Sequence, residues 1–181
     1  MLTAVSTTAA KASQKIRPEF AAFIRLLMLT GCRKNEIMHA KKAWIDRERS
    51  LLLLPTSKTG QRRIALSPAA LEVIDTLGTD GEWLIPGRTT SEPLQAPYKI
   101  WRAVKAQAGL PEELRLHDLR HSSGSLAHMA GATQLEVAKM LGHKQLSTTE
   151  RYLHGFVGAN AKTVNTVSDV ITKAWAEPAS A

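Results

Sequence analysis

The sequence predicts an α+β fold, mainly α: a helical body with a small three-stranded antiparallel sheet. Three observations lead there. Apolar residues recur at helical spacing through most of the chain, as in Phe20, Phe23, Ile24, Leu27 and Met28. The interval from Trp44 to Leu66 breaks instead into short apolar runs separated by polar turns. Helix-starting and helix-stopping residues stand at the ends of the periodic segments.

Taken in order, residues 1–16 are rich in Ala, Ser and Thr and read as a loosely ordered lead-in. Pro18 suits the first turn of a helix, because its missing N–H would have no partner there. That helix ends near Gly31, which has no Cβ to oppose a left-handed cap. A short second helix carries Arg33 to about His39. Trp44-Ile45-Asp46 and Leu51 to Leu54 flank a polar turn as a hairpin. Thr56 to Gln61 is a second turn, and Arg62 to Leu66 resumes as the third strand. Ser67 and Pro68 open a helix through Leu77, as N-cap and first helical residue. Gly78 to Pro93 is irregular. Further helices are expected over Tyr98–Ala108, His117–Ala130, Thr133–Leu141 and Thr148–His154. In the third of these, Thr133 and Glu136 have the spacing of a capping box. An amphipathic segment spans Ala161–Trp175. The organisation expected is a lead-in over 1–16, a domain over 17–160, and a C-terminal helix and tail over 161–181.

Composition narrows the function. The chain has 181 residues, 44% of them apolar, enough for one globular domain. Its net charge of +8 suits a polyanionic partner. A single cysteine, Cys32, excludes an internal disulfide and fits a reducing cytoplasm; its expected place is the core, as a small hydrophobe. No apolar run reaches membrane-spanning length, and no metal-type Cys/His cluster or phosphate-binding glycine loop is present.

One constellation carries chemistry. Thr30-Gly31-Cys32-Arg33-Lys34-Asn35-Glu36 places an arginine just after a glycine turn, with Glu36 in position to orient it. His117 and Arg120 are three apart and share one helical face, whereas His121 is expected on a different face, in a structural role. Two guanidiniums in fork geometry can grip two oxygens of one phosphate, and such a clamp is most useful where charge grows in a transition state. Downstream stand Leu141-Gly142-His143 and then Tyr152, one of only two tyrosines. Taken singly, each residue has an ordinary reading: His117 as a cap, Arg33 and Glu36 as a surface ion pair, Lys58 as a solvated turn residue, Tyr152 as a packed aromatic. Their joint occurrence and order point to attack on a phosphodiester.

Over residues 17–156 these boxes resemble those of the tyrosine recombinases, the phage integrase family. The Arg33 segment resembles the first arginine box. Ser57-Lys58-Thr59-Gly60 resembles the lysine-bearing β-turn, and His117-Asp118-Leu119-Arg120-His121 the His-x-x-Arg box. Leu141-Gly142-His143 and Thr149-Glu150-Arg151-Tyr152 resemble the last histidine box and the nucleophile box. The resemblance implies that Tyr152 attacks phosphorus to form a 3′-phosphotyrosyl bond, with Arg33 and Arg120 on the non-bridging oxygens. It makes His117 the general base, Lys58 the acid for the 5′-oxygen, His143 a hydrogen-bond donor to phosphate and Glu36 a support. His154 is left between a structural and a site-shaping role. The resemblance also implies double-stranded DNA as partner, a tetramer on DNA with a monomer possible alone, a bacterial or phage-encoded chain at the nucleoid, and no cofactor, metal or ATP. Members usually carry a separate DNA-binding domain before this one, so a truncated form, in preference to a minimal enzyme, with weak, salt-dependent DNA affinity is expected. The alternatives are a type IB topoisomerase-like enzyme and a catalytically silent DNA-binding module. The C-terminal stripe of Val164, Val167, Val170, Ile171 and Trp175 is open between packing on its own domain and docking on a neighbour.

Overall fold

A computed structural model describes residues 16–55, 60–142 and 157–176. The first helix, α1 (Pro18–Thr30), begins on its proline and stops at Gly31, which takes a left-handed φ of 61°. Gly31 donates its N–H to the Leu27 carbonyl at 3.0 Å. Phe20, Phe23, Ile24, Leu26, Leu27 and Leu29 of this helix are all buried. Burial on every face, rather than along one stripe, makes α1 the central helix. Each such side chain contributes about 1.5–3 kcal/mol of transfer free energy.

A short α2 (Lys34–Met38) follows, then a 3-10 turn at Lys42–Trp44 that shortens β1 to Ile45–Asp46. Strand β2 (Leu51–Leu54) pairs antiparallel with β1 and with β3 (Arg62–Ala65), giving the expected meander in the order β1-β2-β3. Leu51, Leu52 and Leu54 are buried, so leucine's modest strand propensity is offset by packing. Helix α3 (Pro68–Asp75) opens on Ser67, whose Oγ accepts from the Ala70 N–H at 3.2 Å. The segment expected to be irregular contributes two isolated bridges, Lys41 with Trp83 and Pro86 with Pro93.

Helices α4 (Pro97–Ala108), α5 (Leu116–Met129) and α6 (Gln134–Leu141) follow as read, within a residue at most ends. The Thr133–Glu136 capping box is formed: Thr133 N–H donates to Glu136 Oε2 at 2.8 Å, and Glu136 N–H to Thr133 Oγ1 at 3.3 Å. The last helix, α7 (Val157–Ala176), starts earlier than Ala161, so the expected boundary after residue 160 falls inside it. Its Val164, Val167 and Ile171 are buried against α1, α3, α5, α6 and β3 of the same chain. The Arg25 guanidinium of α1 lies 5.6 Å from the Trp175 ring. The expected helix over Thr148–His154 lies outside the described residues. No helix among the described residues is long and apolar enough to cross a membrane.

Candidate functional site

The glycine turn after α1 is forced twice over. Gly31 has the left-handed φ of its cap, and a Cβ there would come within 2.8 Å of Leu141 Cδ2. With no side chain in the way, the end of α6 seats directly on the turn. Arg33 then leaves the turn at the head of α2, and Glu36 folds back to it. Glu36 Oε2 accepts the Arg33 N–H at 2.7 Å, and Oε1 accepts from Arg33 Nη1 at 2.9 Å. Cys32, between Gly31 and Arg33, is buried, with burial the main cause of a thiol pKa pushed up to about 11, so it is an inert core residue as the sequence indicated.

Arg120 comes from α5 on the other side and is only 4% exposed. Its Nη1 donates to the Gly31 carbonyl at 2.5 Å and its Nη2 to the Leu141 carbonyl. The carbonyls that close α6 then share out three guanidiniums. Met140 O accepts from Arg62 Nη2 at 2.7 Å, Leu141 O from Arg120, and Gly142 O from Arg33 Nη2 at 3.2 Å. The last carbonyls of a helix have no partner within it and carry the negative end of its dipole, so cations are favoured there. The α6 terminus is therefore a frame on which Arg33, Arg62 and Arg120 are assembled.

Among the described residues the carboxylate in ion-pair contact with this trio is Glu36, which takes Arg33 and, at 2.6 Å, Arg62 Nη1. Burial pushes the Glu36 carboxyl upward, but the Arg62 charge and the hydrogen bonds from Arg33 and Arg62 outweigh it. The net pKa is below the ordinary 4.5. Arg120 moves the other way: burial, then repulsion from Arg33 and Arg62, lowers it to about 10, leaving it charged at neutral pH. Three guanidiniums against one carboxylate leave the cluster cationic, and the like charges gain from an added anion.

His117 stands one turn before Arg120 on α5 and is exposed. Partial desolvation of the ring, with the charges of His121 and Arg120, lowers its pKa below 6.5, so at neutral pH it offers a free lone pair. His121 is exposed where Arg120 is buried, so it lies off the Arg120 face as expected, but it also neighbours His117. Its ring meets the His117 ring edge-on, with centroids 4.9 Å apart, as an i,i+4 pair should. Between α4 and the start of α5, a cleft is lined by Lys99, Arg102, Lys105 and Arg115, with Glu112, Tyr98, Trp101 and Leu114.

The structure thus puts Arg33 and Glu36 in direct contact, anchors Arg33 and Arg120 on adjacent carbonyls of one frame, and sets His117 one turn before Arg120. Lys58, His143, Tyr152 and His154 lie outside the described residues. Arg62 is the residue that sequence reasoning missed, because a basic residue opening a strand reads as solvated. The available signal was the strand period: Arg62 shares a face with Ile64, which is buried.

Three comparisons with known proteins bear on this arrangement. The model of the phage integrase family matches residues 2–157. The tyrosine recombinase XerD of Rhizobium meliloti (strain 1021) is 29% identical over 143 residues, covering 74% of this chain and 46% of that protein. The prophage integrase IntF of Escherichia coli (strain K12) is 27% identical over 142 residues, covering 75% of this chain and 30% of that one. The chain spans less than half the length of these relatives. Among solved structures, the integrase from mycobacterium phage Brujita superposes with a TM-score of 0.68 at 19% identity, over 93% of this chain and 61% of that one. The XerH recombinase bound to its difH substrate gives 0.66 at 23% identity, over 84% and 48%. At these identities the superpositions establish the fold.

Proposed function

This chain belongs to the phage integrase family, and on that premise we propose that it is the catalytic part of a site-specific DNA recombinase. It cuts and rejoins DNA strands through a 3′-phosphotyrosyl intermediate. The observation that carries the reading is the cationic frame: Arg33, Arg62 and Arg120 held on the last carbonyls of α6, with Glu36 as the carboxylate paired among them.

Arg33 and Arg120 hold the two non-bridging oxygens of the scissile phosphate. They act most strongly on the pentavalent transition state, where those oxygens carry more charge. Tyr152 Oη attacks phosphorus while its proton passes to the neutral imidazole of His117. A phenol with a pKa near 10 needs such a base, or a strong positive field, to react at neutral pH. As the P–Oη bond forms, the bond to the 5′-oxygen breaks, and that oxygen keeps the electron pair and takes a proton from Lys58. His143 donates a hydrogen bond to the phosphate. The new phosphodiester to tyrosine retains the energy of the old one, so a 5′-hydroxyl from another strand reverses the attack. The guanidiniums and the lysine supply the positive charge that metal ions supply in many phosphoryl transfers.

Double-stranded DNA is the partner. The net charge of +8 and the mainly basic cleft between α4 and α5 support this. So does the likeness to XerH and to a lambda integrase dimer, both solved on DNA. Strand exchange requires more than one protomer, and a tetramer on DNA is the assembly we infer.

The test uses nicked suicide duplexes from a pool with a randomised core, incubated with the chain in excess chelator. A covalent protein–DNA adduct that survives denaturation is expected, and exchange should need two sites. A strict metal requirement, or relaxation at single sites without exchange, contradicts the reading.

A further inference from the structure

We propose that Arg62 is a positioning residue for the phosphate clamp: its guanidinium fixes Glu36 and the end of α6, and through them it aims Arg33 and Arg120. The inference rests on the reading of Arg33 and Arg120 given above.

Arg62 is itself a poor candidate for touching DNA. Its side chain is 9% exposed, and both terminal nitrogens are occupied, Nη1 by Glu36 Oε2 at 2.6 Å and Nη2 by Met140 O at 2.7 Å. Each of those partners leads to a residue of the clamp. Glu36 also holds the Arg33 backbone and side chain. Met140 is followed by the two carbonyls that receive Arg120 and Arg33. One guanidinium therefore joins strand β3 to α2 and to the end of α6, at the places where the other two arginines are anchored.

The backbone is shaped to admit it. Gly142 has a left-handed φ of 67°, and a Cβ on it would lie 2.6 Å from Arg62 Nε and 2.7 Å from Cζ. The guanidinium thus packs against a glycine where any side chain would be strained by φ and would have to displace it. A lysine could replace the charge but not the geometry, since one ammonium cannot span two partners in fixed directions. Stability alone is a weak reason for burying an arginine here, because buried ion pairs often gain nothing over apolar residues of similar volume.

The test measures guanidinium NMR signals and orthovanadate affinity in the unaltered chain and in Arg62→Met, Arg62→Lys and Arg63→Met, with the unfolding midpoint of each. In the unaltered chain Arg62, Arg33 and Arg120 should show restrained, separate Nη signals. In both Arg62 variants the Arg33 and Arg120 signals should average, and orthovanadate affinity should fall about tenfold. Arg63, the exposed neighbour on the same strand, serves as the charge control and should leave both readouts unchanged. A freely rotating Arg62 guanidinium in the unaltered chain overturns the proposal even if neither variant folds. So does full affinity in Arg62→Met, or rescue by Arg62→Lys. The clamp reading fails separately, if the unaltered chain ignores orthovanadate or if Arg33→Ala and Arg120→Ala bind it as well as the unaltered chain does.

Discussion

Replacing Glu36 by Gln removes the negative charge at the centre of the frame with almost no change in shape. The carboxylate is 7% exposed and accepts from Arg33 N, Arg33 Nη1 and Arg62 Nη1. A glutamine keeps one oxygen. Its amide group must face an arginine donor across the other contact, and Arg62, nearly as buried, loses its counter-charge. Breaking a buried pair in this way costs about 3–5 kcal/mol. The partial exposure of Arg33, 27%, argues for the lower end, about 3 kcal/mol. For a chain of this size that is a fall of roughly 6–12 °C in the unfolding midpoint. The pH dependence adds an independent check. Glu36 has a folded pKa below its ordinary 4.5, so its stabilising contribution is complete above that value and is lost as pH falls through the folded pKa. Circular dichroism melts of both chains from about pH 7 to about pH 3.5 should therefore show a gap that is constant at neutral pH and narrows as pH falls below the ordinary 4.5. A gap below about 1 kcal/mol, or one unchanged in acid, would refute the assignment of Glu36 as the buried counter-charge.

Further outcomes follow from the same geometry. Gly142→Ala should lower the midpoint more than Gly109→Ala, by calorimetry. Both adopt left-handed φ, at about 1–2 kcal/mol for a side chain, but the Cβ at 142 also strikes the Arg62 guanidinium while that at 109 meets nothing within 4 Å. Equal losses would remove the close approach as a cause. Arg120→Lys keeps the charge but cannot reach both Gly31 O and Leu141 O, leaving one buried carbonyl without a donor at about 1–3 kcal/mol. It should lose most covalent adduct formation in single-turnover assays, and near-normal cleavage would contradict the clamp. The adduct rate should also fall in acid as His117 protonates, and because burial, His121 and Arg120 hold that group down, the midpoint should lie below pH 6.5. A midpoint above that value would exclude His117 as the base.

What could be read in the sequence was what local chemistry decides. Gly31, Ser67 with Pro68, and Thr133 with Glu136 each act within a turn or two of chain, and each formed as read. Arg33, Glu36 and Arg120 were legible as a set because each box has its own short signature. The frame that joins them was not. Arg62 meets partners 26 and 78 residues away, and no short window contains both ends of such a contact. His121 lies off the buried Arg120 face as expected, and only its i,i+4 contact with His117 went unread. The early start of α7 escaped because its first turn, Val157 to Asn160, carries small and polar residues that read as a loop.

The central claim is that Tyr152 is the nucleophile, and peptide mapping of the covalent adduct tests it most directly. The adduct trapped on a nicked duplex is digested with nuclease and protease, and the nucleotide-bearing residue is located by mass spectrometry. The account predicts a 3′-nucleotide on the Tyr152 hydroxyl and no adduct from Tyr152→Phe. A nucleotide on any other residue, or an equally abundant adduct from the phenylalanine variant, would contradict it.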